Sequence, residues 1–154
     1  MEGDVVTVER VIPAGPAAIF AVVADASRHP EIDGSGTVRQ LKPQAPHLLA
    51  LGSKFGMSMK MGIPYSMEST VIEFEEGRRI AWQSRPPGFV GRFAAGRIWR
   101  YELEPVEGGT LVRESWDISQ DHQRPLLKLG GLPAKTADNM TRTLERIEEA
   151  VTRS

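Results

Sequence analysis

The spacing of hydrophobic and polar positions changes several times along this chain, and each change marks an element. Residues 4–12 (DVVTVERVI) are rich in β-branched side chains with imperfect alternation, which predicts a strand closed by the turn formers Pro13-Ala14-Gly15-Pro16. Pro16 is favoured at a helix opening, and the run that follows places Ile19, Phe20, Val22 and Val23 on one broad apolar side, predicting a short buried helix. Asp25 to Pro30 interrupts that pattern, and Asp33-Gly34-Ser35-Gly36 reads as a turn into a second strand at about 37–42.

Beyond Gly52 the period becomes two. In SKFGMSMKM, Phe55, Met57, Met59 and Met61 share one face, and Lys54, Gly56, Ser58 and Lys60 share the other. Gly62-Ile63-Pro64 predicts a turn into a long strand at 65–75, and Glu76-Gly77 a turn into 78–85, where Ile80, Trp82 and Ser84 alternate with other residues. After a loop at 86–96, strand 97–105 sets Trp99, Tyr101 and Leu103 against Arg100, Glu102 and Glu104. Gly108-Gly109 turns the chain into strand 110–119, with Val112, Trp116 and Ile118 opposite Arg113, Ser115 and Asp117. The chain closes with a long helix at roughly 134–152, opened by Pro133, whose apolar stripe runs through Ala137, Met140, Leu144, Ile147 and Val151.

This order is α+β: an antiparallel sheet of six or seven strands with one dry face, one or two short helices after the first strand, and a long C-terminal helix. A helix of about 19 residues is ~28 Å long, too small to cover that many strands lying flat. The sheet is therefore expected to curl around the helix, leaving unfilled space as a pocket. Met57, Met59, Met61, Met67 and Met140 fall on the proposed inner surfaces, where methionine adapts to varied apolar shapes but equally fills ordinary cores.

With 154 residues, 40% of them hydrophobic, the chain has room for one domain, 1–154, and a self-sufficient core. It has no cysteine, which removes zinc-thiolate sites, iron–sulfur clusters, thiol nucleophiles and redox switches. The balance of 19 basic and 20 acidic residues, with no block of like charge, argues against nucleic acid as a partner. The opening MEGDVVTVERV lacks a signal-peptide core, and no stretch approaches 18 apolar residues, so a cytoplasmic protein without stable membrane insertion is expected.

Several motifs together resemble a known family. IPAGPAAIFAVVADASRHPEID at 12–33 is similar to the opening signature of the START-like, Bet v 1-like (SRPBCC) superfamily of bacterial polyketide cyclase/dehydrase and lipid-transport proteins. Gly52-Ser53-Lys54-Phe55, the run VIEFEEGRRIAW at 71–82, Trp99 to Pro105, Gly108-Gly109-Thr110 and the terminal helix match in order, so the resemblance runs end to end. It implies a helix-grip fold with a hydrophobic pocket beneath the last helix. One departure is that His29 and Ile32 stand where the family usually carries tryptophans. Members bind lipids, sterols, hormones and polyketides, and only some are enzymes, so the fold alone does not assign an activity.

The candidate chemistry is sparse. His29, His47 and His122 form no HxxxH or HxE pair, so no metal is expected, and no cofactor is implied. Gly34-Ser35-Gly36 precedes a strand rather than a helix, which makes it a plain turn rather than a phosphate cradle. No nucleophile elbow occurs. The residue that stands out is Glu114, because alternation puts it on the face of Val112, Trp116 and Ile118, toward the pocket. A carboxylate there needs a partner, and Arg97 or the Tyr101 hydroxyl, of matching parity on the neighbouring strand, could supply one. Glu114 then anchors a ligand or acts as a general acid/base; a bulge turning it outward, or a pair that only fixes register, are the structural alternatives.

The expected ligand lining is Phe55, Met57, Met59, Met61, Trp82, Trp99, Tyr101, Val112, Glu114, Trp116, Met140 and Leu144. The apolar loops 86–96 and 120–133 are surface loops, a pocket rim or a dimer contact. Three functions fit: a carrier or sensor of a small hydrophobic ligand; a cyclase, aromatase or dehydratase using Glu114 and Tyr101 with Arg97 orienting them; or a co-chaperone-like interaction module. A monomer and a homodimer are equally compatible with the sequence.

Overall fold

The computed structural model describes residues 3–34, 38–41, 48–61, 63–85 and 96–153, with backbone alone at 38–41, 57–61 and 63–66. Seven antiparallel strands form the sheet: β1 (Val5–Ile12), β2 (Val38–Leu41), β3 (Lys54–Met61), β4 (Ile63–Glu75), β5 (Arg79–Arg85), β6 (Arg97–Val106) and β7 (Gly109–Asp117), in the order β1-β7-β6-β5-β4-β3-β2. Between β1 and β2 lie α1 (Pro16–Val23), a 3-10 turn at Ala26–Arg28 capped by Asp25, and α2 (His29–Ile32). A one-turn helix, α3 (Arg124–Leu127), precedes the long C-terminal helix α4 (Leu132–Thr152). This is the helix-grip α+β arrangement.

The differences from the sequence reading are local. Ile63 and Pro64 belong to β4 rather than to the turn before it; at Pro64 the strand pairs with β3, and its pairing with β5 runs only from Glu68, so the missing N–H of proline costs little. Helix α4 starts two residues early because Pro133 occupies its first turn. Segment 120–133 is not all loop, since it carries α3.

Helix α4 buries Thr136, Met140, Thr143, Leu144 and Ile147 against β1, β7, α1 and α2. One core cluster joins Ile12, Ile19, Phe20, Phe55, Val71, Ile80, Trp82, Tyr101, Leu103, Val112, Leu144 and Ile147. A second joins Val6, Trp116, Ile118, Leu127 and Met140, with Val8 and Trp99 packed against both. Gly34 lets the α2 segment touch α4: a Cβ built there would sit 2.2 Å from the Asn139 carbonyl oxygen and 2.6 Å from the Thr143 nitrogen. The approach is fastened by a hydrogen bond from the Gly34 N–H to Thr143 Oγ1 at 2.8 Å and one from Arg142 Nε to the Gly34 carbonyl at 3.1 Å.

The opposite face of the sheet is charged. Arg100 grips Glu73 through Nη2 at 2.6 Å and Nε at 3.0 Å, and reaches Asp117 at 3.5 Å; Arg79 bonds Glu102 at 2.8 Å and Arg113 bonds Glu9 at 3.0 Å.

Candidate functional site

Register places side chains in rows across the inner face. One row reads Val71, Trp82, Trp99, Trp116, Val6 from β4 to β1. The next reads Phe74, Ile80, Tyr101, Glu114, Val8. Glu114 therefore stands opposite Tyr101 on one side and Val8 on the other, between the tryptophan row and a row holding Leu103 and Val112. No bulge interrupts β7, and Glu114 is 2% exposed.

A carboxyl in that setting cannot ionise cheaply. Burial, with the charge of Asp33 adding to it, pushes the Glu114 pKa up to about 8 against the lowering effect of the Tyr101 hydroxyl, which lies within hydrogen-bonding reach. Tyr101 is itself held well above its usual range by burial and by Glu114. Both groups are thus protonated at neutral pH. Glu114 Oε2 is buried with no hydrogen-bond partner among the described residues, whereas buried polar atoms in folded proteins nearly always have one.

An aromatic row leads away from this pair. Tyr101 and Trp82 lie 5.6 Å apart, and His29 stacks on Trp82 at 4.9 Å with a 24° interplanar angle. Phe55 meets both edge-on, at 5.7 Å from Trp82 and 5.6 Å from His29. The His29 ring is buried; its Nε2–H donates to the Val23 carbonyl at 2.8 Å, and burial lowers its pKa, so the ring is neutral. The imidazole is thus a buried ring of this aromatic row, and Ile32 is buried too.

Arg97 does not reach Glu114. Its parity is right, but it lies two rows away, four residues or ~13 Å along the strand. It bonds Asp121 at 3.4 Å instead. Asp121 is fully buried and also accepts the N–H groups of Gly96 and Gln123 at 3.2 and 2.7 Å, tying the start of β6 to the approach to α3. Alternation along a strand reports which face a residue occupies, not which row of the neighbouring strand it meets.

The remaining lining candidates divide between the two clusters: Phe55, Trp82, Tyr101, Val112 and Leu144 in the first, Trp116 and Met140 in the second, with half-buried Trp99 between. Met57, Met59 and Met61 keep the common parity in the β3–β4 register, but their side chains lie outside the described residues, as do His47, the Gly34-Ser35-Gly36 turn beyond Gly34, and loop 86–96 up to Gly96. No group of residues that could hold a metal ion occurs among the described residues, and no described helix is long and apolar enough to cross a membrane. Sequence reasoning missed His29 and Asp33 as neighbours of this site. The available signal for His29 was its place in the RHPEID run, where the resemblance implies a tryptophan.

Three comparisons bear on this geometry. The family described as "Polyketide cyclase / dehydrase and lipid transport" matches residues 4–152. A Mycobacterium tuberculosis protein named Uncharacterized protein Rv0088 is 37% identical over 131 residues, covering 75% of this chain and 54% of the relative. The chain thus spans about half the length of the curated relatives it matches. Among solved structures, protein CV1439 from Chromobacterium violaceum superposes with a TM-score of 0.73 at 15% identity, covering 98% of this chain and 99% of that one. DynU16, a protein of the dynemicin biosynthetic locus, gives 0.70 at 15% identity, covering 98% and 48%. The AHSA1-like protein from Aeromonas hydrophila gives 0.65 at 15% identity, covering 96% and 92%. At these identities the structural likeness shows the fold.

Proposed function

Because the chain belongs to the polyketide cyclase/dehydrase and lipid transport family, we propose that it holds a small hydrophobic ligand between the concave face of its sheet and α4, as a carrier or sensor. The observation that carries this reading is the unpartnered Oε2 of buried Glu114. Leaving a buried polar atom unbonded costs on the order of 1–3 kcal/mol, a penalty that a ligand group bonded there would remove. Around it, Phe55, Trp82, Tyr101, Val112 and Leu144 offer apolar and aromatic wall, which favours a ligand that is mostly hydrocarbon with one polar group. Trp99, Trp116 and Met140 extend that wall.

Native mass spectrometry of the purified protein tests the proposal, with thermal shifts across fatty acids, sterols and polyphenols as the second measurement. A co-purified small molecule, or a shift that Glu114→Leu abolishes, is expected. A bare mass together with no shift for any compound would overturn it.

One observation favours a second reading. A protonated carboxyl beside a protonated phenol can donate a proton, which suits a cyclase or dehydratase in which Glu114 is the acid and Tyr101 supports it. Arg97, bonded to Asp121, takes no part in that chemistry. Under this reading Glu114→Gln keeps ligand affinity and loses turnover; equal losses of both would return Glu114 to a binding role.

A further inference from the structure

We propose that segment 124–132, which is α3 and its junction with α4, docks on the surface of an anionic phospholipid bilayer through three exposed leucines flanked by basic side chains.

One leucine anchors the segment and three are left outside. Leu127 is buried with Val6, Trp116, Ile118 and Met140, whereas Leu126, Leu129 and Leu132 are 66%, 65% and 37% exposed. The Leu129 N–H donates to the Leu126 carbonyl at 3.2 Å, which sets these two residues one turn apart on the surface. Gly130, at φ +62°, then bends the chain into α4, which opens on Leu132.

The charge around the leucines is basic. Residues 122–135 hold no acid and three basic residues, Arg124, Lys128 and Lys135, all exposed, in a chain whose net charge is −1. Lys128 is paired with Asp4 at 2.5 Å, and Arg124 donates to the neutral Ser119 carbonyl at 3.2 Å. The acid just before the segment, Asp121, is fully buried and bonded to Arg97; the first acid after it is Asp138, a turn beyond Lys135 on α4. Arg124 and Lys135 thus bracket the leucines in sequence.

That combination fits a lipid surface, where apolar side chains enter the boundary with the acyl chains while cations meet the phosphates. Three leucines supply a few hundred Å², short of the ~800 Å² per partner of a stable protein interface, which favours a bilayer over a second copy of the chain. Leu48 and Leu51 are as exposed, but residues 48–53 carry no charge to hold them among head groups. Through Leu127 the patch also backs onto Trp116 and Met140, so a docked segment lies against the wall of the ligand site.

Flotation of the full chain with vesicles tests this, using phosphatidylcholine alone and with about one third phosphatidylglycerol. The protein is expected to bind the anionic vesicles, about tenfold more weakly without phosphatidylglycerol and about tenfold more weakly when salt rises from ~0.1 to ~0.5 M. Leu126→Ser with Leu129→Ser should weaken binding about tenfold. Arg124→Gln with Lys135→Gln should remove the preference for anionic lipid, and Leu48→Ser with Leu51→Ser should leave binding unchanged. These positions are all exposed, so the variants are expected to melt with the parent. A parent protein that does not float with anionic vesicles, equal binding to both vesicles, unaltered binding in the Leu126/Leu129 variant, or an equal loss in the Leu48/Leu51 variant would each overturn the proposal. So would a dimer, seen by light scattering, that the Leu126/Leu129 variant dissociates, which would give the patch to a second copy. None of these outcomes touches the ligand reading, which thermal shifts test without vesicles.

Discussion

Arg113 and Glu114 are consecutive on β7 and face opposite sides of the sheet, and the two sides treat charge differently. On the outer face Arg113 meets Glu9, Arg79 meets Glu102, and Arg100 holds both Glu73 and Asp117. These side chains are partly hydrated, so each pair is screened and its main effect is to fix cross-strand register. On the inner face Glu114 is almost wholly buried, has a hydroxyl as its protein partner and leaves one oxygen without any. A charge satisfied by its own sheet serves the fold. A carboxyl that destabilises the fold and is left unsatisfied is explained better by something that the fold binds.

The largest expected effect separates the faces by pH. The Glu114 pKa rises from 4.5 in the unfolded chain to about 8 in the folded one, so the folded state holds the proton longer. Its contribution is fully present below pH 4.5 and is lost as pH climbs to about 8. Glu114→Gln should therefore gain on the order of 4 kcal/mol relative to the parent between pH 5 and pH 9, at 1.36 kcal/mol per unit. Urea unfolding at the two pH values measures this; parallel curves would place Glu114 with the hydrated charges of the outer face.

Gly34→Ala comes next. The added Cβ meets backbone atoms of α4 at 2.2 and 2.6 Å, and the helix must move, at a cost of about 3 kcal/mol in urea unfolding. A loss below about 0.5 kcal/mol would mean that the α2–α4 contact yields readily.

On the outer face, Arg100→Met strands Glu73 and Asp117 and is expected to cost ~2 kcal/mol, less in molar salt. A cost unchanged by salt would mean that the pairs behave as buried ones.

His29→Phe keeps the stack on Trp82 and loses the bond to Val23, for about 1 kcal/mol at pH 7. Because the folded state lowers the His29 pKa below 6.5, its contribution is present above pH 6.5 and lost as pH falls, so the deficit of the variant should shrink in acid. A deficit that grows in acid would contradict a neutral His29. The smallest effect is Arg113→Met, at ~0.3 kcal/mol, since its pair with Glu9 is largely exposed; a change above about 1 kcal/mol would show that this outer pair does more than set register.

Much of this was legible in the sequence because it is local. Two-residue alternation in VRESWD put Glu114 on the face of Val112 and Trp116, and the three-and-four spacing from Ala137 to Val151 identified the buried stripe of α4. The Tyr101 match followed from parity and survived because a two-residue turn at Glu107-Gly108 sets β6 and β7 in a register that makes the two residues direct partners. Arg97 satisfied the same parity and failed, because register set it two rows from Glu114 with Asp121 nearer. Nor did anything local reveal that the turn at Gly34 touches a helix more than a hundred residues later.

The sequence by itself determined which elements form, which side of each strand is dry, and that a carboxylate sits on the dry side, since these depend on periods of 2 and 3.6 within short windows. Only the tertiary structure decided what that carboxylate meets. Its pKa, its bare oxygen, the imidazole stacked on Trp82 and the nearby charge of Asp33 come from groups brought together across β5, β6, β7 and α2. Burial and electrostatic coupling act through space, and no pattern along the chain encodes those distances.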